Sequence, residues 1–195
     1  MPFWSTNFQN QDEILKDPKR NFRFIVQING ISTTLGGATP TIIWYAKEVT
    51  KPSFTVNIAE HSYLNHKFKF PGTVTWNDID LTVVDPQDDA DAAAVLSDLW
   101  ERSGYQVPAS AGTGANLATV SKGRAVTAMG QVTVTQVDSQ GAPIETWTLK
   151  NAFCKGITYG DAIAYGNDEL TTYKLSIVYD FASMNALDPG KTYFD

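Results

Sequence analysis

Residues 45–86 read YAKEVTKPSFTVNIAEHSYLNHKFKFPGTVTWNDIDLTVVDP, and this is the most informative part of the chain. Apolar and polar side chains alternate along it, the apolar set being Phe54, Val56, Ile58, Phe68 and Phe70 and the polar set Thr55, Asn57, Lys67 and Lys69. Period-two alternation predicts strands with one apolar and one polar face. We therefore predict a hairpin of residues 53–60 and 63–70 that turns at His61-Ser62. The apolar set is expected to pack inward and the polar set to face water.

Pro71 and Gly72 follow the hairpin and mark its exit into a long strand at residues 73–84. We expect Gly72 to need a positive φ, a conformation that a Cβ disfavours. The spacing of the apolar positions changes between Trp76 and Ile79, which predicts a β-bulge near Asn77-Asp78.

The rest of the chain predicts a mainly β protein. Further strands are expected at residues 21–28, 42–49, 129–137, 144–153 and 169–181, with a short segment at 157–160. One helix is expected at residues 85–104, with Asp88 or Asp89 as its cap, Gly104 as its stop and an apolar stripe of Ala92, Val95, Leu96, Leu99 and Trp100. Together with Phe54, Val56, Phe68 and Phe70, we assign Trp76 and Trp100 to the core.

This order of elements indicates a β-sandwich or barrel with one α-helix closing one side. We expect one domain over residues 1–195, with terminal arms at about 1–20 and 183–195. Residues 105–128 are rich in Gly and Ala and weakly patterned, so they are predicted to form a long loop.

Composition and charge argue against some classes of function. The formal net charge of −6 argues against a protein that grips nucleic acid, because gripping needs clustered Lys and Arg. There is no long apolar run and no signal-peptide pattern at the start, so we expect no membrane anchoring. A single cysteine without a partner is consistent with synthesis in a reducing cytoplasm. The single cysteine, Cys154, lies in an apolar strand pattern and is expected to be buried.

A search for catalytic chemistry is negative. His61 and His66 are five residues apart with no third ligand at metal spacing, and on strands such a pair is expected to point to opposite faces. Asp78 and Asp80 share a face and could act as acid and base, but surface carboxylates are the simpler interpretation. No phosphate-binding loop or nucleophile motif is present. We therefore expect no enzyme activity, no cofactor and no metal.

Several segments resemble the tail tube proteins of contractile-tailed (myovirus-type) bacteriophages. They are NFRFIVQI (21–28), AKEVTKPSF (46–54), LNHKFKFPG (64–72), TVTWNDIDLTVVDP (73–86) and WTLKNAFCKGITYGDAIAYGNDELTTYKLSIVYDFA (147–182). The resemblance implies the tail tube fold, in which six copies form a ring and their inner strands join into a continuous hexameric barrel. Candidate residues for the lumen and for assembly are Thr55, Asn57, Lys67, Lys69, Pro71 and Gly72.

The same resemblance implies partners and a location. Rings would stack into a tube inside a contractile sheath, in the tail of the virion, and viral DNA would pass through without tight binding. Other partners would be the sheath protein, the baseplate and the tail terminator. Alternatives within the class are a baseplate tube initiator and the tube protein of a type VI or other contractile injection system. The alternative from another class is a carbohydrate-binding β-sandwich, since the chain is rich in aromatic residues.

Overall fold

The computed structural model describes residues 19–30, 46–85, 92–107, 119–160, 165, 169–186 and 191–194. The strands are β1 (Phe24–Ile28), β2 (Ala46–Val49), β3 (Phe54–Tyr63), β4 (His66–Trp76), β5 (Ile79–Val84), β6 (Val132–Val137), β7 (Pro143–Lys150), β8 (Phe153–Thr158), β9 (Thr172–Val178), β10 (Phe181–Ala186) and β11 (Thr192–Tyr193). The helices are α1 (Ala92–Arg102) and α2 (Lys122–Met129).

Two antiparallel sheets enclose the core. One has the strand order β1-β6-β7-β10-β11 and the other β2-β5-β9-β8, while β3 and β4 form a separate two-stranded sheet. Alternation decides what is buried: β5 and β6 each bury every second residue, and the fully buried side chains of both sheets belong to one apolar cluster. The predicted mainly β sandwich is confirmed.

Helix α1 covers the core as the apolar stripe predicted. Leu96 and Leu99 are fully buried, and Ala92, Val95 and Trp100 pack against the cluster. The Asp85 carboxylate accepts a hydrogen bond from the Ala92 amide at 3.3 Å, and Gly104 follows the last turn with a φ of +101°. The proposed caps Asp88 and Asp89 lie outside the described residues.

Helix α2 corrects the loop prediction for residues 105–128. The Ser121 hydroxyl accepts a hydrogen bond from the Arg124 amide at the helix start, and Ala125, Ala128 and Met129 are buried. A serine cap followed by three apolar residues at helical spacing was the available signal. Gly123 weakened this signal, because glycine disfavours helices. Residues 108–118 lie outside the described residues.

Two long predicted strands are each divided, because the chain passes from one sheet to another. The segment 73–84 breaks after Trp76, where the Asn77 amide bonds to the Ser53 carbonyl at 2.9 Å, so the expected bulge is a change of sheet. The segment 169–181 breaks between β9 and β10.

The terminal arms are only partly seen. Within the expected terminal arm at 183–195, residues 183–186 of β10 and Thr192–Tyr193 of β11 pair in the five-stranded sheet. Most of the expected N-terminal arm, residues 1–18, lies outside the described residues, as do residues 42–45 of the predicted second strand. Within the described residues, neither helix is long and apolar enough to cross a membrane.

Candidate functional site: the β3–β4 hairpin and the cleft at its base

Strands β3 and β4 form a long ribbon that stands apart from the two sheets. Its turn is Leu64-Asn65, where Leu64 has a φ of +53°, and Tyr63 pairs with His66 across it. The predicted turn at His61-Ser62 is therefore wrong, because both residues are paired within the ladder. The ribbon is longer than predicted and runs through Pro71-Gly72 without a break.

An irregularity in the ribbon decides which way its side chains point. Val56 pairs with Val74 and Ile58 pairs with Pro71, so β4 holds one residue more than β3 between these pairs. Such a bulge reverses the alternation in the strand that contains it. As a result Phe68 and Phe70 lie on the opposite face of the ribbon from Val74 and Trp76, although all four have even spacing in the sequence.

The register defines two faces, each half apolar. Face A carries Phe54, Val56, Ile58, Val74 and Trp76 near the base and Glu60, Ser62, Lys67 and Lys69 near the turn. Face B carries Thr55, Asn57, Thr73 and Thr75 near the base and Ala59, His61, Tyr63, His66, Phe68 and Phe70 near the turn. The prediction of one apolar and one polar face is wrong, and Thr55 and Asn57 do not share a face with Lys67 and Lys69.

The hairpin is exposed in the single chain. Every residue of β3 and all of β4 before Trp76 are exposed, so the expectation that Phe54, Val56, Phe68 and Phe70 lie in the core of the subunit is wrong. The physical reason is that neither sheet covers the ribbon beyond its base. Trp76 and Trp100, the other two core candidates, do pack against the core.

The base of face A is attached to the sandwich through aromatic rings. The Phe54 and Trp76 ring centroids are 5.2 Å apart, and Trp76 lies 5.9 Å from Tyr179. Phe194, after β11, contacts both Phe54 and Trp76 edge-on. Ring pairs of this kind hold the ribbon at its base while its outer half projects freely.

Gly72 lies in the bulge, but the reason for a glycine there is not the positive φ that we predicted. Its φ is not positive, and a Cβ at this position would lie 2.8 Å from the Asn57 carbonyl oxygen. The residue is small because the facing strand comes close.

Charges on the ribbon and on the neighbouring sheet are balanced. On face A, Glu60 pairs with Lys67 at 3.3 Å and approaches Lys69 at 4.0 Å. On the outer face of the four-stranded sheet, Lys155 pairs with Asp78 at 2.7 Å and Lys174 with Asp80 at 2.9 Å. Surface pairs contribute little stability, but they leave these lysines with less unopposed charge.

The same pairs decide against acid–base chemistry at Asp78 and Asp80. A hydrogen bond from Ser176, followed by one from Lys174, lowers the pKa of Asp80. The pKa of Lys155 is raised by its hydrogen bond to Asp78. Both carboxylates are therefore engaged in ion pairs with lysines, as surface acids are.

A cleft of about 490 Å³, here called the base cleft, opens beside the start of the hairpin. It lies where β2 ends and the inner face of the five-stranded sheet continues, and its apolar lining is Phe22, Phe24, Val49, Val134 and Trp147. Phe22 is 73% exposed at its mouth.

The hydrogen bonds and ion pairs of the base cleft converge on Glu145. Its carboxylate receives a hydrogen bond from Lys19, one from Lys51 at 3.0 Å and one from the Trp147 indole at 2.5 Å. Burial alone raises the pKa of Glu145, but these three donors outweigh it and lower the pKa to about 2. Sequence reasoning missed this cluster, although Gln136 and Glu145 at inward strand positions were a signal for it.

The histidines and the cysteine have no catalytic arrangement. His61 and His66 share face B, contrary to expectation, because they lie on different strands of the ribbon. In the part of the chain that the structure describes, no group of three His, Cys, Asp or Glu could hold a metal ion. Cys154 is buried as predicted, and burial raises the pKa of its thiol to about 11.

Comparisons by sequence find neither a matching family model nor a matching curated protein. Solved structures do match. A chain in the six-fold symmetrised baseplate of the anti-feeding prophage superposes with a TM-score of 0.61 at 17% identity, covering 89% of this chain and 99% of that one. A chain in the sheath–tube complex of the extracellular contractile injection system PVC superposes with a TM-score of 0.59 at 17% identity, covering 87% and 93%.

A chain in the tube-terminating cap of the anti-feeding prophage gives a TM-score of 0.59 at 15% identity, covering 92% of this chain and 99% of that one. These likenesses extend over nearly the whole of each chain. The expected fold is therefore confirmed: the protein has the fold found in tube-associated chains of contractile injection systems.

Proposed function

We propose that this protein is a structural, non-catalytic subunit of the tail tube of a contractile-tailed bacteriophage. Six copies form a ring, and rings stack into a tube inside a contractile sheath. The observation that carries the proposal is the β3–β4 hairpin, which the described chain leaves exposed on both faces and along both edges. The fold match supports the choice of a tube among the assemblies that could cover such a hairpin.

The physical argument concerns stability. A two-stranded ribbon is marginal by itself in water, and open strand edges invite uncontrolled association. A closed ring removes those edges by pairing them with strands of neighbouring copies. In the proposed ring the inner strands of six copies form one continuous barrel, with Thr55, Asn57, Lys67, Lys69, Pro71 and Gly72 in the hairpin that completes it. The shared core of the two sheets supports treating the chain as one domain.

DNA passage is the proposed function of the tube. A net charge of −6 per copy repels phosphate, and pairing of Lys67, Lys155 and Lys174 with carboxylates reduces the number of strong phosphate contacts. The proposed location is the virion tail, after synthesis in the host cytoplasm. The proposed partners are the sheath protein, the baseplate and the tail terminator. A tube initiator or the tube protein of another contractile injection system would share the fold.

Negative-stain electron microscopy of the concentrated protein tests the proposal. We expect six-fold rings and hollow tubes, with a monomer on dilution. A protein that stays monomeric at every concentration and binds glycans on an array would instead be a carbohydrate-binding module, and the proposal would fail.

A second measurement tests whether the tube lets DNA pass without binding it tightly. Assembled tubes titrated with short duplex DNA at physiological salt should bind no tighter than ordinary non-specific association, roughly 10⁻⁴–10⁻⁶ M. A salt-resistant nanomolar complex would contradict passage of DNA and indicate a protein that organises it.

A further inference from the structure

The chain has two histidines, His61 and His66, and both are exposed on the β3–β4 hairpin. His61 pairs with Phe68 and His66 pairs with Tyr63, so the two histidines occupy diagonal positions on face B, one on each strand. Diagonal neighbours on one face of an antiparallel pair are roughly 7–8 Å apart, a separation that aromatic side chains can bridge. Both imidazoles can therefore reach one small ligand placed between the two strands.

An aromatic contact restrains one of the two imidazoles. The His66 and Phe68 ring centroids are 4.8 Å apart with an interplanar angle of 79°, so the rings meet edge-on. Because Phe68 is also the cross-strand partner of His61, this contact keeps the His66 ring beside the residue that faces His61. Fewer orientations are then open to the His66 ring before a ligand arrives, and a partly ordered set of ligand groups loses less entropy on binding.

The surroundings of the two histidines select the class of ligand. Among the described residues, the outer half of face B carries no Lys, Arg, Asp or Glu; its members are Ala59, His61, Tyr63, His66, Phe68 and Phe70. Lys67 and Lys69 lie on face A, where both approach Glu60. Neutral imidazole is a common ligand of Cu²⁺, Ni²⁺ and Zn²⁺, whereas Mg²⁺ and Ca²⁺ prefer oxygen ligands. The pair therefore fits a divalent transition-metal cation.

We propose that His61 and His66 form a two-histidine site for a divalent transition-metal cation, which joins β3 to β4 near the hairpin turn. Each histidine supplies one ring nitrogen, and water completes the coordination. Cu²⁺ should bind most tightly, because it leads the divalent first-row metals in affinity for such ligands. Residues five apart would point to opposite faces of one continuous strand, but the turn at Leu64-Asn65 returns His66 to the face of His61. The site does not depend on the proposed tube function.

Copper titration of the dilute, monomeric protein without a histidine tag tests the site. Isothermal titration calorimetry with CuCl₂ should give one ion per chain, and electron paramagnetic resonance should show two nitrogen ligands. His61→Gln and His66→Gln should each weaken copper binding about tenfold or more, because each removes one of the two imidazoles. Millimolar Mg²⁺ or Ca²⁺ should not displace the copper.

A matched control moves one histidine to the other face of the hairpin. His61→Gln/Ser62→His keeps two histidines, but Ser62 lies on face A opposite Lys67, so this variant should bind copper as weakly as His61→Gln alone. Phe68→His tests the site in the opposite direction. It places a third imidazole on face B, directly across from His61, and should tighten copper binding about tenfold or more.

Hydrogen exchange supplies a second readout, because a cation held by both strands slows the opening of the hairpin. With excess CuCl₂, the amides of residues 58–70 should exchange more slowly in the wild type and at an unchanged rate in His61→Gln/Ser62→His. Equal copper affinity of these two proteins, or unchanged exchange in the copper-saturated wild type, would overturn the site. Every measurement uses the monomer, so its outcome is separate from whether the protein forms tubes.

Discussion

Gly130→Ala should be among the most destabilising small substitutions in this protein. Gly130 ends α2 with φ +63° and ψ −150°, a backbone region that is almost restricted to glycine. A Cβ there would lie 2.6 Å from the Gly30 amide nitrogen, where β1 ends. The Gly30 amide donates to the Met129 carbonyl at 2.9 Å, so the contact cannot widen without weakening this hydrogen bond.

The magnitude follows from two contributions. Backbone strain in this region costs about 1–3 kcal/mol, and a lost backbone hydrogen bond costs about 1 kcal/mol. The free energy of unfolding should therefore fall by about 2–4 kcal/mol. For a chain of this size, each kcal/mol lowers the melting temperature by roughly 2–4 °C, so we expect a decrease of roughly 5–15 °C.

Gly123→Ala is the matched control, because it makes the same chemical change in the same helix. No atom lies within 4 Å of a Cβ at Gly123, so alanine should stabilise α2 by about 0.5–1 kcal/mol. Circular dichroism melts of both variants at concentrations where the protein is monomeric make the comparison. Equal melting temperatures for the two variants would refute the argument from backbone conformation and close approach.

Three further predictions concern the hairpin, the base cleft and the buried thiol. Gly72→Ala should slow or prevent tube growth more than it lowers the monomer melting temperature, because the new Cβ meets the Asn57 carbonyl oxygen at 2.8 Å and distorts the bulge; sedimentation of assembled protein beside monomer melts measures this. Because the pKa of Glu145 is lowered from 4.5 to about 2, its ionised form stabilises the fold at pH values above 4.5, by up to about 3 kcal/mol. This stability is lost as the pH falls towards 2. Urea unfolding from pH 6 to 2 should therefore show a steeper loss of unfolding free energy for the wild type than for Glu145→Gln. Cys154 should resist iodoacetamide at pH 8 in the native protein and react in urea, since burial raises its pKa to about 11; rapid native labelling would contradict the buried assignment.

The hairpin shows how far a sequence pattern reaches. Alternation correctly predicted two paired strands within residues 53–70, because period two is a property of each strand alone, but it did not predict that the second strand continues to Trp76. Alternation did not predict which side chains share a face. Phe68 and Val74 are an even number of positions apart, which predicts one face, but the register with β3 shows that β4 holds an extra residue between them. Cross-strand register depends on both strands and on the turn, so one strand's pattern cannot determine it.

The base cleft could not be predicted from the sequence, for a different reason. Lys51 and Glu145 are far apart in the chain, and their contact exists only because the chain after β2 passes beside the start of β7. Their pairing depends on how two sheets are offset, which no local pattern encodes. Helix α2 could in principle have been predicted, since Ser121 and the spacing of Ala125, Ala128 and Met129 are local signals.

Local patterns in the sequence were enough for the class of fold, the apolar stripe of α1 and the burial of Cys154, because each follows from which side chains avoid water along one element. The tertiary structure alone decided where the chain changes sheets, which hairpin side chains share a face, and that Gly30 and Gly130 touch. These features depend on contacts between distant segments, and the free energy of such contacts belongs to pairs of residues that the linear order does not bring together.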